Sequence, residues 1–132
     1  MRFKALIIAA VATLAFGVPA SAHHSFAMFD NEKSMTVQGQ VKEFEWTNPH
    51  SWLRVMVIDQ NTGKPLLWVF ELSSPARLAT LGMHSNSLKP GDAVSVNFHP
   101  LKDGSRGGQL VAAVLADGKR LGGPVRQNRS AD

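Results

Sequence analysis

Residues 35–46 read MTVQGQVKEFEW and predict one long β-strand that bends near its middle. Val37 and Val41 share one alternating phase, whereas Phe44 and Trp46 share the other, and a glycine lies within the run. A change of phase inside a strand is typical of a bulge or a sharp bend, and an interior glycine often marks the same feature. A long, bent first strand is therefore the starting point of the fold prediction.

Four further strands are predicted from short apolar runs that lie between turn signals. They cover residues 50–59, 66–72, 93–99 and 109–116. A short helix follows the third strand, because Ser73 or Ser74 can cap it and Pro75 suits its first turn. Gly82 suits the end of this helix.

The predicted order of three strands, one helix and two strands is the order of an OB-fold, a five-stranded Greek-key barrel. We therefore predict a mainly β protein with a five-stranded OB-fold-like barrel and one short helix between strands 3 and 4. An open five-stranded sandwich with the helix across one end is the alternative. The barrel is expected at residues 35–118, between an N-terminal arm at 23–34 and a flexible basic tail at 119–132.

The first 22 residues have the three parts of a secretory signal peptide. A positively charged start is followed by an apolar stretch at residues 5–16 and by the cleavage sequence Ala20-Ser21-Ala22. An apolar run of 12 residues is short for a membrane span, although a retained anchor is the alternative. We expect a soluble protein in the periplasm or outside the cell, with no stable membrane insertion after cleavage.

The charge of the mature chain is close to neutral. The full chain has 14 basic and 10 acidic residues, and removal of Arg2 and Lys4 with the leader leaves 12 against 10, a net charge of +2. A balance of this kind gives little support to a nucleic-acid partner, so we predict none. The chain contains no cysteine, which excludes disulfides and thiolate metal sites.

Several motifs are distributed over nearly the whole mature chain: His23-His24-Ser25-Phe26, Trp46-Thr47-Asn48-Pro49-His50, Trp68-Val69-Phe70-Glu71, Leu88-Lys89-Pro90-Gly91-Asp92 and Lys102-Asp103-Gly104-Ser105. Together they resemble a family of short secreted bacterial proteins catalogued as domain of unknown function 6152. The resemblance implies a small periplasmic β-barrel protein. It implies no activity, ligand or catalytic residue, so the functional predictions depend on the residues themselves.

Histidines suggest a metal site. Cleavage after Ala22 would make His23 the first residue, and a free α-amine beside an imidazole can chelate a transition metal. Imidazole suits copper, and Cu(II) has the highest affinity in the divalent series. We predict a copper site at His23 and His24 with His50 or His99 as further ligands. The two latter residues flank the loops that join strands 1 and 2 and strands 4 and 5, which we expect to meet at one mouth of the barrel.

Each histidine also has a simpler interpretation, because the first two can be a polar chain start and the others can bond loop backbone groups. The alternative function is a metal-free OB-fold module that binds a sugar, a peptide or a periplasmic partner protein through its loops and aromatic rim. Its candidate ligand-binding residues are Trp46, Asn48, Trp52, Lys102 and Arg106. The aromatic residues suit a barrel core equally well.

Catalytic motifs are missing from the sequence. It contains neither the G-x-S-x-G pattern of a nucleophile elbow nor the H-E-x-x-H pattern of a zinc protease. We therefore predict a binding or accessory protein and not an enzyme. An oxidative copper enzyme, which would need an open metal position and a bound substrate, is the third possibility.

Overall fold

The computed structural model describes residues 26–123 of the 132-residue chain. A single 3-10 turn at Phe26–Met28 precedes one α-helix and six β-strands. Their bounds are β1 (Met35–Glu45), β2 (Trp52–Ile58), β3 (Pro65–Glu71), α1 (Pro75–Thr80), β4 (Ala93–Pro100), β5 (Gly107–Leu115) and β6 (Arg120–Gly122). The predicted signal peptide and the histidines His23 and His24 lie outside the described residues.

The first five strands close into a barrel. Their hydrogen-bonded order is β3-β2-β1-β4-β5, and β3 also pairs with β5 in parallel, which joins the two ends of the sheet. The other pairings of these strands are antiparallel, and α1 lies between β3 and β4 in the chain. This arrangement confirms the predicted OB-fold-like barrel. The alternative of an open sandwich is wrong, because the β3–β5 pairing closes the sheet.

The bend in β1 has the predicted cause. The register against β2 shifts between Val41 and Glu43, so one extra residue enters the strand there and the inward phase changes. Gly39 lies so close to β2 that a Cβ atom at this position would overlap the carbonyl oxygen of Met56. The strand can therefore pair with β2 at one end and with β4 at the other.

Aromatic and branched side chains fill the barrel. Phe70, Phe98, Leu53 and Val55 are fully buried, and the ring centroids of Phe70 and Phe98 are 4.9 Å apart. Burial of one such side chain stabilises the fold by roughly 2–3 kcal/mol relative to exposure. Trp68 is partly buried and packs edge-on against Phe98 at 5.8 Å, at the margin of the core.

Helix α1 begins and ends at the predicted signals. Ser74 is the N-cap, and its hydroxyl accepts a hydrogen bond from the backbone N–H of Arg77 at 3.4 Å. Gly82 follows the helix with a φ of +79°, a conformation that glycine adopts without strain. Leu78 is the buried residue of the helix, and through it α1 packs on the barrel core.

The prediction of a flexible tail from residue 119 is wrong at its beginning. Residues 120–122 form β6, which pairs antiparallel with β5, and Leu121 is buried. The N–H of Gly123 donates a further hydrogen bond to the carbonyl of Val111 at 2.8 Å. This short strand satisfies backbone groups along the free edge of β5, and it extends the folded unit to residue 123. The remaining predicted tail, 124–132, lies outside the described residues.

The part of the N-terminal arm at residues 26–34 packs against the end of β4. The N–H of Asp30 donates to the carbonyl of Pro100 at 2.8 Å, and the N–H of Lys102 donates to the carbonyl of Met28 at 3.0 Å. Phe29 is buried between these bonds. The arm is thus a structural part of this end of the barrel. Within residues 26–123, no helix has the length and apolar character needed to cross a membrane.

Candidate functional site

Two loops lie beside different parts of β3: the L12 loop (residues 46–51, between β1 and β2) and the L45 loop (residues 101–106, between β4 and β5). L12 contacts the end of β3, where the N–H of Leu72 donates to the carbonyl of Ser51 at 2.9 Å. L45 contacts its middle, where the N–H of Val69 donates to the carbonyl of Arg106 at 3.2 Å and the guanidinium of Arg106 donates to the carbonyl of Leu67 at 3.4 Å. The contacts of the two loops are separated by roughly 10–16 Å of strand.

The prediction that the two loops meet at one mouth is therefore wrong. The reason is the direction of pairing, since β3 and β5 are parallel with Val69 opposite Gly107. This parallel pair places the chain entering β5 beside the middle of β3, whereas the chain entering β2 lies beside the end of β3. The candidate residues Trp46, Asn48 and Trp52 consequently lie at the L12 end, and Lys102 and Arg106 lie at the L45 end.

The L12 end is filled by the protein itself. Ser51 is fully buried, and its N–H donates to the carbonyl of Ser73 at 3.1 Å. The Nδ1 atom of His50 lies 3.0 Å from the carbonyl oxygen of Leu72 and 3.2 Å from a carboxylate oxygen of Glu71. Trp46 packs edge-to-face with Phe44 at 5.9 Å and against the core. Trp46 thus closes this end of the barrel.

Trp52 faces away from the barrel interior. It lies opposite Glu45 on β1 and Glu71 on β3, and the row continues from Glu71 to Gln109 and from Gln109 to His99. Partners in register share one face of a sheet, and the neighbouring Leu53 and Phe70 point inward. The row Glu45–Trp52–Glu71–Gln109–His99 therefore runs around the outside of the barrel.

Two histidines of the predicted metal site contact different parts of this outer row. His50 contacts the Glu71 side, whereas Nδ1 of His99 lies 2.6 Å from the carbonyl oxygen of Lys33 in the arm. In each ring Nδ1 donates to a backbone carbonyl, so Nε2 is the nitrogen that is left to bind a metal. Among residues 26–123, no three His, Asp or Glu side chains form a group that could hold a metal ion. The copper prediction thus depends on His23 and His24.

A cavity of about 340 Å³ opens at the L45 end, between this loop and the arm. Its size is that of a small-molecule site. Three side chains form an apolar floor, L45 forms one wall, and three charged side chains form the rim. The floor consists of Met35, Trp68 and Phe98, and the rim consists of Asp30, Lys33 and Lys102.

The floor is apolar because it is the end of the barrel core. Met35 begins β1 and lies opposite Phe98 in register, and Trp68 stands edge-on to the same ring. Phe98 itself is fully buried, but Met35 is 44% exposed. The apolar interior therefore continues outward to the solvent through Met35, a surface that an apolar ligand would remove from water.

The rim has an excess of positive charge. The ammonium group of Lys33 lies 2.9 Å from the carboxylate of Asp30, and this hydrogen bond lowers the pKa of Asp30 and raises that of Lys33. Lys102 extends from L45, and its charge contributes weakly to the lowered pKa of Asp30. The three lining groups thus carry two positive charges and one negative charge.

Local hydrogen bonds fix the shape of L45. The carboxylate of Asp103 accepts the N–H of Ser105 at 2.8 Å, which lowers the pKa of Asp103, and the N–H of Gly104 donates to the carbonyl of Leu101 at 3.2 Å. Gly107 closes the loop at a φ of +145°, where a Cβ atom would overlap the carbonyl of Val69. Such a loop holds its cavity wall in place before a ligand arrives.

Of the predicted ligand-binding residues, the cavity lining includes Lys102 alone; Arg106 bonds the β3 backbone instead. Sequence reasoning missed Asp30, Lys33 and Met35 as site residues. The spacing of Asp30 and Lys33 indicates an ion pair, but nothing local connects it to L45. The alternating phase of Trp68 predicts a core position without showing that it lies at an open end.

A closed OB-fold-like barrel with a loop-lined cavity is the architecture of a small binding module. The chain matches a family described as a family of unknown function (DUF6152) over residues 10–111, and it belongs to that family. This match confirms the resemblance seen in the motifs.

No curated protein matches the chain. One similar solved structure is the crystal structure of the mitochondrial single-stranded DNA binding protein Rim1 from S. cerevisiae, with 12% sequence identity and a TM-score of 0.49. That likeness covers 64% of this chain and 93% of the other. The fold assignment here depends on this chain's own strand order.

Proposed function

We propose that this protein is a secreted binding protein for a small molecule that occupies the L45 cavity. The observation that carries the proposal is the cavity itself, in which an apolar floor that includes Trp68 meets the loop that OB-folds use for ligands. The leader-like sequence at residues 1–22 supports a periplasmic or secreted location. The proposed role is binding, since the rim carboxylate of Asp30 is already engaged by Lys33.

A pair of tryptophan substitutions tests this proposal. Met35→Trp adds bulk to the cavity floor, whereas Ile58→Trp adds the same bulk at the end of β2, where the side chain is 51% exposed. Mature protein is screened against small apolar and aromatic compounds by saturation-transfer NMR. We expect saturable binding by the natural sequence and by I58W, and its loss in M35W. Binding that survives in M35W, or saturable binding by no compound, would contradict the proposal.

Nucleic acid stays outside the proposal, because the expected mature chain, with a net charge of +2, offers only a small excess of cations for a phosphate backbone. We expect a labelled single-stranded oligonucleotide to show no binding to the mature protein at 50 mM salt, measured by fluorescence anisotropy. Saturable binding at this salt concentration would overturn that prediction.

A second proposal is a copper site at the mature N-terminus. It is supported by His99, whose Nδ1 bonds the carbonyl of Lys33 in the arm, so that Nε2 is the ring nitrogen left to bind a metal. The terminal amine and imidazole of His23 would supply the primary chelate, with His24 beside them. His50 also bonds a backbone carbonyl through Nδ1, but this carbonyl belongs to Leu72 at the L12 end, away from the arm.

An added residue tests the copper site. Secreted protein with His23 verified as its terminus is titrated with Cu(II), and the titration is repeated with one alanine placed before His23. We expect the extension to weaken binding by at least tenfold, because it separates the imidazole from the free amine. His99→Gln is expected to weaken binding and the exposed His84→Gln to leave it unchanged. Equal affinity with and without the extra alanine would contradict the proposal.

A further inference from the structure

We infer that the ligand of the L45 cavity is an amphipathic monoanion, a flat apolar body that carries one carboxylate or a group of similar charge. The inference rests on the proposed function, because it names the ligand class of the same cavity. It depends on three features of the lining: the charge of its rim, the exposure of its floor and the hydrogen bonds of its wall.

The charged groups that line the cavity include one more positive than negative charge. Lys33 is paired with Asp30 at 2.9 Å, so these two charges offset each other. Across residues 26–123, no carboxylate forms a salt bridge with Lys102. The nearest acid in sequence, Asp103, accepts the backbone N–H of Ser105 instead. A single anionic group on the ligand would therefore complete the charge balance of the cavity.

The apolar floor favours a flat ring as the uncharged part of the ligand. Trp68 presents ring surface at the inner end of the cavity, with the buried Phe98 behind it, and Met35 adds a flexible thioether that is 44% exposed. Aromatic rings bind other flat rings by offset or edge-on contacts, and methionine sulfur also contacts rings favourably. A ring body would thus be held by the floor while its charged group reaches the rim.

The same features argue against the other ligand classes. A cationic ligand would meet the ammonium groups of Lys33 and Lys102. A sugar needs many hydrogen-bonding partners, yet the carboxylate of Asp30 is engaged and the N–H groups of Gly104 and Ser105 already donate within L45. The sugar alternative from the sequence is therefore less favoured than an anionic ring compound.

Three probes of one shape test the inference: 2-naphthoate, the neutral 2-naphthamide and the cationic 2-naphthylmethylamine. Dissociation constants are measured by calorimetry on the mature protein at 20 mM and 300 mM salt. At low salt we expect naphthoate to bind about tenfold more tightly than the amide and the amine to bind most weakly. High salt should reduce the advantage of naphthoate, because ions screen its attraction to exposed Lys102.

Two lysine variants test whether Lys102 binds the anionic group of the ligand. Lys102→Gln is expected to bring naphthoate to the affinity of the amide, whereas Lys64→Gln, in the hairpin between β2 and β3, should change neither value. Equal binding of naphthoate and naphthamide, or an unchanged naphthoate affinity in K102Q, would overturn the monoanion inference and leave the proposed function standing. If no apolar or aromatic compound bound at all, the proposed function itself would fail.

Discussion

The two ends of the barrel are closed by loops of the same length but in different ways. L12 and L45 each contain six residues. L12 places the buried Ser51 and the half-buried ring of Trp46 against the core. L45 turns back on itself at Asp103 and Gly104, so it forms a wall beside Trp68. Loop composition, not loop length, therefore decides which end can receive a ligand.

The arm contributes to the same difference. Residues 28–30 bond L45 and the end of β4, and they bring the Asp30–Lys33 pair to the cavity rim. The L12 end has a pair as well, since His50 approaches Glu71, but the carboxylate there is 10% exposed. Lys33 at the cavity rim is accessible to the solvent, whereas the Glu71 carboxylate is largely enclosed.

The largest expected effect is a loss of stability on substitution of Gly107, which closes L45. Gly107→Ala would push a Cβ atom into the carbonyl of Val69 at a positive φ, and we expect a loss of about 3 kcal/mol or more in the free energy of unfolding, measured by urea denaturation. Gly104→Ala is the control, because it shares a positive φ but has open space around it, and should lose only about 1 kcal/mol. Equal small losses in both variants would show that the β3–β5 closure does not depend on Gly107.

A second prediction compares how a substitution at each end of the barrel changes ligand affinity. Trp68→Leu and Trp46→Leu each remove a half-buried ring that packs on the core, so each is expected to lose about 2 kcal/mol of stability. W68L alone should weaken the binding of 2-naphthoate, by about tenfold, because a lost aromatic contact is worth up to roughly 1.5 kcal/mol. Calorimetry on both folded variants provides the comparison. Equal weakening in the two variants, or weakening in W46L alone, would contradict the placement of the site.

The smallest expected effect concerns the rim charges. The hydrogen bond from Lys33 holds the pKa of Asp30 below its ordinary value of 3.8, so the carboxylate stabilises the folded arm above pH 3.8 and this contribution is lost as the pH falls through the lowered pKa. A carbon-13 titration of the Asp30 carboxyl should show this lowered value, and Lys33→Gln should return it towards 3.8. A midpoint at or above 3.8 in the natural sequence would argue against the pair.

Local patterns predicted most of the fold. The phase change between Val41 and Phe44 predicted the bend, and Pro75 and Gly82 predicted the limits of α1, because each depends on the conformational preference of a few neighbouring residues. Strand β6 was missed since its only apolar side chain is Leu121. A three-residue strand is too short to show an alternation of apolar and polar side chains, and its position is set by its partner β5.

The site was predicted less well because it is built from distant parts of the chain. Lys102 was recognised, but its cavity also needs Asp30 and Trp68, which the arm and the parallel β3–β5 pairing bring to L45. The same pairing places L12 and L45 beside different parts of β3. No local sequence pattern shows where a strand pairing of this kind will place the two loops. Of the four histidines proposed as ligands, only His50 and His99 lie in the described part of the chain.

The central claim is that ligand binds at the L45 end and not at the L12 end. A nitrogen-15 correlation spectrum of the mature protein, recorded during titration with 2-naphthoate, tests it most directly. The account predicts saturable shifts at the amides of residues 28–33 and 102–107 and at the indole N–H of Trp68. Shifts concentrated instead at residues 47–51 and at the indole N–H of Trp52 would contradict it.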